Sequence, residues 1–395
     1  MQHSEKVEIF AVAGNPISHS LSPQMMNEAM GATKINGYYT RISAGTPEEI
    51  IHVMKNLRIK GCNITAPFKE NIVRYLDLYD SRVQQTGCSN LILLKDDQFV
   101  GYNTDVNGIF QSLDEIEIDF LGQSALIVGY GGAARAAAYT LKMMHMQTYV
   151  TGKNPIKVEE FAQKTGCIPV DFENIQQAID NAAIIISTIP KEAVLLHKAT
   201  FFEQQVVLDC SYNNPTLEQK VTSRNGYYID GKRWLLYQGA PSFKIFTDKD
   251  APAETMFNAL KKKAETPSVI SVISSSENIL GTISAHLIDF KECAFIDFAE
   301  DAKSSVRKLR KRLKKTESLI HVALILLDEM QYKDLYEFVS EETFSFWLFN
   351  DADLKKKFAP DIAEIIDVIF PTDGKTGAHI ANHIRMEIKN MIAHE

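Results

Sequence analysis

A chain of 395 residues exceeds the about 100–200 residues of one domain, so two or three cores are expected. A net charge of −8, with 45% hydrophobic and 23% charged residues, is that of a soluble globular protein and excludes a general attraction to nucleic acid or anionic membrane. Five cysteines (Cys62, Cys88, Cys167, Cys210, Cys293) without a CxxC pair exclude a disulfide framework; with no secretory leader and no apolar run near ~18 residues, they point to the cytoplasm.

Residues 7–14 (VEIFAVAG) read as a strand, followed by the polar turn NPISHSLSP and a helix after Pro23. GYYTRIS is the next strand, and TPEEIIHVMKNLR is a helix opened by Thr46 with Pro47 at its first position. GCNITAP is a β-branched strand stopped by Pro67, and Lys69 stands just beyond it. A second alternating run begins near residue 107: helix NGIFQSL, strand SALIVG, a glycine turn, helix AARAAAYTLKMM, strand TYVTG, helix IKVEEFAQKT, and strands AAIIISTIP and QVVLDCSY. Residues 238–263 are helical again, and TPSVISVISSS resets the pattern. Then come strand SVISVI, helix NILGTISAHLID, strand CAFIDF, a long basic helix, strand HVALILLDE, helix YKDLYEFV, strand FSFWLFN and helix DLKKKFAPDIAEIIDVI. Such alternation implies parallel or mixed sheets covered by helices, an α/β protein.

ALIVGYGGAARAAA sets Gly129, Gly131 and Gly132 between a strand and a helix, with Ala133 and further small residues behind them. Glycine permits the tight turn and lets backbone N–H groups approach a pyrophosphate at a helix N-terminus. A turn of this kind can also simply pack a helix closely on a sheet, but the surrounding order is that of a mononucleotide-binding unit. About 20 residues beyond such a turn, NAD-binding units carry an acid for the ribose 2′-hydroxyl. Here TYVTGKNPIK offers Lys153 and Lys157 and no acid, so NADP is expected in preference to NAD; the alternative is two solvated lysines at a helix start.

In this order, GNPISHSLSP, NITAPFKE, GCSN, GYNTD, GYGGAARA and LLYQGAP resemble the shikimate dehydrogenase family, over about residues 8–262. The resemblance implies NADP-dependent reversible reduction of 3-dehydroshikimate to shikimate, a step of aromatic amino acid biosynthesis, with Lys69 and Asp105 as catalytic pair. The chemistry of the two residues agrees. Reduction of a ketone leaves an alkoxide that needs a positioned cation or proton donor, and an ammonium is both. From the pair alone, a salt bridge joining two loops would serve as well. The resemblance further assigns Ser20 and Ser22, with the phenol of Tyr212, to the substrate carboxylate, although Ser22 before Pro23 equally suits a helix N-cap. Thr65, Asn90 and Gln238 match positions that bind ring hydroxyls, and Ala133 and Thr188 join the cofactor-binding set. The implied architecture is an N-terminal α/β substrate domain (1–106 with 237–266) and a Rossmann-type NADP-binding domain (107–236), with nicotinamide meeting the ketone in the cleft between them. Cys88, Ser89, Leu91, Tyr102 and Gly152-Lys153-Asn154 depart from the family pattern. These departures leave a quinate/shikimate dehydrogenase using NAD as one alternative; a non-catalytic metabolite sensor signalling through the C-terminal domain is another.

Residues 267–395 show no family signature and read as an appended small α/β domain. In KSSVRKLRKRLKKTE, residues 303–317, cations surround a stripe of Val306, Leu309 and Leu313; the helix either seeks an anionic partner or is a solvated face neutralised by Asp351 and Asp353. His379 and His383 stand four apart without a further ligand, so no metal is expected. The expected partners are the small-molecule substrate and, by default, a protein or second copy at this domain; neither nucleic acid nor membrane is expected.

Overall fold

The computed structural model describes residues 7–118, 120–190, 195–212, 214–262, 269–274, 276–287, 293–297, 320–326, 343–350, 353 and 366–393. The basic stretch 303–317, the helix read at 332–339, Asp351 and residues 354–365 lie outside the described residues. The strands are β1 (Glu8–Gly14), β2 (Gly37–Ser43), β3 (Gly61–Ile64), β4 (Leu78–Tyr79), β5 (Leu91–Lys95), β6 (Gln98–Tyr102), β7 (Ser124–Val128), β8 (Gln147–Thr151), β9 (Ile168–Pro169), β10 (Ile184–Ser187), β11 (Val206–Asp209), β12 (Tyr227–Ile229), β13 (Val269–Ser274), β14 (Cys293–Asp297), β15 (Ile320–Leu326), β16 (Thr343–Phe349) and β17 (Val368–Pro371). The helices are α1 (Ser22–Thr33), α2 (Pro47–Asn56), α3 (Ser81–Thr86), α4 (Asp105–Asp114), α5 (Gly132–Met143), α6 (Pro155–Thr165), α7 (Ile175–Asp180), α8 (Pro215–Thr222), α9 (Gly231–Thr247), α10 (Ala253–Lys261), α11 (Glu277–Leu287) and α12 (Gly377–Ala393). Among the described residues no helix is long and apolar enough to cross a membrane.

Two compact units divide the chain: Met1–Pro23 with Lys34–Cys62 and Lys262–Glu395, and Gln24–Thr33 with Asn63–Lys261. In the first, the strands run in the order β14-β15-β13-β16-β17-β2-β1-β3. The strands contributed by the C-terminal third thus continue the sheet begun by β1 and β2, since β17 pairs in parallel with β2 at Val368↔Arg41 and Ile369↔Ile42. Helix α2 follows its signals: Thr46 Oγ1 accepts from Glu49 N at 3.4 Å, Pro47 opens the helix, and Ile50, Val53 and Met54 are buried at helical spacing. One expectation is corrected here. The sequence reading carries a helix through Ile369, whereas Val368–Pro371 is a fully buried strand. In IIDVIF the apolar run is too short for periodicity to separate a buried parallel strand from a helix end.

In the second unit, six parallel strands lie in the order β12-β11-β10-β7-β8-β9, the doubly wound arrangement that follows from alternating strand and helix. Ala125 and Ile127 of β7 face a core with Ala134, Ala137 and Leu141 of α5, while Leu126 and Val128 face another with Ile185 and Val207. Alternation along a strand puts neighbours on opposite faces, and both faces are covered, which explains the unbroken apolar run. The unit also holds the antiparallel hairpin β5–β6, which the sequence reading did not resolve. Its turn residues Asp96 and Asp97 both have positive φ (50° and 58°), as a two-residue hairpin turn demands, but Asp-Asp lacks the glycine that usually announces one.

Candidate active site

Strand β3 ends at Ile64, and a turn closed by Phe68 N donating to Thr65 O at 3.0 Å leads into Lys69. Lys69 Nζ donates to Asp105 Oδ2 at 2.7 Å, with the two side chains 11% and 2% exposed. At an effective dielectric of about 20, charges this close attract by roughly 6 kcal/mol before the desolvation penalty is subtracted. Asp105 is the first residue of α4, where the helix terminus favours a negative charge. Asn90 Nδ2 donates to Asp105 Oδ1 at 3.0 Å, to Thr104 Oγ1 at 2.9 Å and to Gln238 Oε1 at 3.2 Å, so one amide ties the carboxylate to α9. The ammonium lies 5.3 Å from the centre of the Trp234 ring. An ammonium has three N–H donors, of which Asp105 takes one. The arrangement can therefore hold a cation beside a polar ring of acceptors and still present a proton donor.

The glycine turn closes against this pair. Gly129 has φ 118°, a region that L side chains rarely adopt, and a Cβ there would strike Thr188 Oγ1, which donates to Val128 O at 3.0 Å. Gly131, the N-cap residue of α5, has open space where a Cβ would stand, whereas a Cβ at Gly132 would come within 2.7 Å of Lys69 Cβ. Ala133 is half-buried in the first turn of α5. An ion pair of Arg135 Nη2 with Glu70 Oε2 at 2.8 Å fastens α5 to the residue after Lys69. Lys153 and Lys157 are exposed beyond β8. Lys157 N donates to Asn154 Oδ1 at 3.2 Å as part of the α6 cap, and its ammonium lies 5.9 Å from the Tyr130 ring centre. A side-chain-free helix N-terminus with two exposed cations at the end of the next strand fits a dinucleotide bearing a 2′-phosphate.

The remaining expected residues fall in both units. Thr65 and Tyr212 are half-buried. Burial, then the neighbouring Cys210, Asp230 and Asp105, push the Tyr212 phenol well above its usual range, so it stays a neutral donor. Ser20 and Ser22 belong to the first unit and are buried; Ser20 Oγ accepts from Ser22 N at 3.3 Å, and Ser22 is the first residue of α1. The sequence reading missed Asn63, Thr104 and Ser242. Asn63 Nδ2 donates to Ser242 Oγ at 3.1 Å, Thr104 and Ser242 hydroxyls lie 3.0 Å apart, and Ser242 Oγ donates to Gln238 O at 2.8 Å. Thr104 stands inside GYNTD and Asn63 opens NITAPFKE, so both were within reach of the motifs; Ser242 lies just past LLYQGAP and carried no signal.

The model of the shikimate dehydrogenase substrate binding domain matches residues 12–92. The shikimate dehydrogenase (NADP(+)) of Staphylococcus aureus is 34% identical over 265 residues, covering 64% of this chain and 97% of that protein. The crystal structure of shikimate dehydrogenase from Aquifex aeolicus is similar with a TM-score of 0.61 at 26% identity, over 66% of this chain and 100% of that one. The shikimate 5-dehydrogenase from Thermus thermophilus, solved in complex with NADP(H) and shikimate, is similar with a TM-score of 0.54 at 25% identity, over 64% of this chain and 98% of that one.

Proposed function

Because this chain belongs to the shikimate dehydrogenase family, a family of α/β oxidoreductases with a substrate domain and a Rossmann NADP-binding domain, we propose that it catalyses the NADP-dependent reversible reduction of 3-dehydroshikimate to shikimate. The observation that carries this reading is the buried Lys69–Asp105 pair at 2.7 Å with Gly132 of the glycine turn against the lysine stem. In this reading residues 1–106 with 237–266 handle the substrate and 107–236 the cofactor. The backbone of Gly131, Gly132 and Ala133 would hold the pyrophosphate, Gly129 and Thr188 shape the turn, and Lys153 with Lys157 receives the 2′-phosphate. When bound, NADPH supplies the hydride. Lys69 stabilises the negative oxygen that develops on the reduced ketone and delivers the proton to it. Asp105 holds and aims the lysine, and accepts from a ring hydroxyl. Thr65, Asn90 and Gln238 orient the other hydroxyls, each able to donate and accept. Ser20, Ser22 and the Tyr212 phenol take the carboxylate, as hydrogen bonds to an ionised acceptor are the strong ones.

Free thiols at Cys62, Cys88, Cys167 and Cys210 suit a reducing compartment, and we assign the reaction to the cytoplasm. The test is a panel of initial rates for oxidation of shikimate and of quinate, each with NADP and with NAD. Shikimate with NADP is expected to give the highest kcat/KM. A higher value for quinate with NAD would replace this reading with a quinate dehydrogenase, and no turnover in any combination would replace it with a metabolite sensor.

A further inference from the structure

The loop that carries Ser20 and leads into Ser22 is gripped at Ile17 by a residue 370 positions away. Helix α12 projects His383 and Glu387, one turn apart, from a single face. Glu387 is 0% exposed, and its carboxylate accepts from Ile17 N at 3.2 and 3.1 Å, from Ser18 N at 3.0 Å and from Ser18 Oγ at 2.7 Å. It also accepts from the hydroxyl of Ser43, the last residue of β2, and His383 Nε2 stands 2.7 Å from that same hydroxyl. On the other side of the turn, Ser20 N donates to Ile17 O at 2.9 Å and Arg41 Nη2 donates to Ser20 O at 2.8 Å.

Burial alone would push the Glu387 carboxyl up, but hydrogen bonds from His383, Ser43 and Ser18 outweigh it and hold the group at about 2. It is therefore an ionised group sealed from water, and the backbone N–H groups of Ile17 and Ser18 share in compensating its charge with Ser43, Ser18 Oγ and His383, so moving that backbone would leave part of the charge unpaired. The bond from Ser20 N to Ile17 O passes that constraint on to the residue two places further along. His379, one turn earlier on α12, is exposed and takes no part.

We propose that Glu387 is a positioning residue for substrate binding: from the C-terminal helix it clamps the Ile17–Ser18 backbone and so fixes the Ser20 and Ser22 hydroxyls for the substrate carboxylate. This rests on the reading that these serines take that carboxylate. The C-terminal third then has a definite task in the chemistry, setting the affinity for substrate without touching it.

The experiment is steady-state kinetics of the full chain, wild type against Glu387→Gln, Glu387→Ala, Ser18→Ala and Ser20→Ala, with shikimate and NADP each varied. Glu387→Gln keeps the shape and removes the charge, and is expected to raise KM for shikimate about tenfold, as loss of charge-assisted hydrogen bonds implies. Glu387→Ala raises it further, while kcat and KM for NADP stay within about twofold, the split expected when ground-state binding alone is lost. Ser18→Ala removes one bond and leaves both backbone N–H contacts, so it tests the clamp without threatening the fold; a severalfold rise in KM for shikimate is expected. An unchanged KM for shikimate in Glu387→Gln and Ser18→Ala, beside a raised one in Ser20→Ala, overturns the clamp and leaves the carboxylate reading standing. Parallel loss of kcat and NADP affinity in these variants reduces Glu387 to general scaffolding and overturns it too. An active wild type in which Ser20→Ala binds shikimate normally removes the carboxylate reading, and the clamp with it.

Discussion

Lys69 and Asp105 could be singled out because NITAPFKE and GYNTD, the motifs that hold them, resemble those of the shikimate dehydrogenase family, and the chemistry of the two residues agrees with that assignment. The contacts that orient them could not be. Asn90 reaches Gln238 across 148 positions and Asn63 reaches Ser242 across 179, and nothing local marks a polar side chain in a strand or helix as one half of such a bond. Glu387 is the same case at greater distance: in RMEIKNMI it looks like an ordinary helix glutamate, and its burial follows only from the partners it finds. That burial gives a pH signature. Its folded-state value of about 2 lies below the ordinary 4.5, so the group stabilises the fold above about pH 4.5, and this contribution is lost as pH falls toward 2. The size is roughly 3 kcal/mol at neutral pH. Urea unfolding of wild type and Glu387→Gln should differ most at pH 7, and the difference should shrink between pH 4.5 and 2. A difference independent of pH over that range would show that the carboxylate is not held ionised by the fold.

Elements were easier to read than contacts. Strands β7, β8, β10 and β11 of the parallel core announced themselves as apolar runs, because strands covered on both faces have no polar side to interrupt them, whereas the two- and three-residue strands β9 and β12 went unread. The glycine turn between β7 and α5 was legible for a complementary reason: three glycines in four positions are otherwise costly in a chain. The hairpin β5–β6 hid behind an Asp-Asp turn, and β17 behind a helix-like run of isoleucines, both cases in which the local pattern permits two answers. The turn supplies the element-level prediction. Gly129→Ala forces a methyl group into φ 118° and against Thr188 Oγ1, so the end of β7 must shift. The thermal midpoint should fall by several degrees, matching a strain of about 1–3 kcal/mol, and NADP should bind at least about tenfold more weakly. Isothermal titration and a melting curve measure both; unchanged NADP affinity would mean that the turn is not the pyrophosphate cradle.

On the scale of the whole molecule, the order of motifs carried the family assignment over about two thirds of the chain, while the last third offered only alternating strands and helices. Composition and periodicity suggested a module of its own, since the sequence holds no sign of which strand will meet which. In the structure β17 pairs with β2, Lys375 Nζ reaches Glu49 at 2.7 Å, and α12 grips the loop after β1, so the first and last stretches of the chain share one compact unit. Non-local pairing of this kind is fixed by the complete packing of a sheet and leaves no local trace. The proposed reaction needs both a chain folded in this way and one ammonium at the ketone. The most direct measurement is kcat/KM for shikimate oxidation with NADP by the full chain and by Lys69→Ala, with NADP affinity determined on both. The account predicts a loss of about 10²–10⁴-fold at unchanged NADP affinity, the usual worth of a positioned proton donor. A variant that turns shikimate over within about twofold of wild type would contradict it.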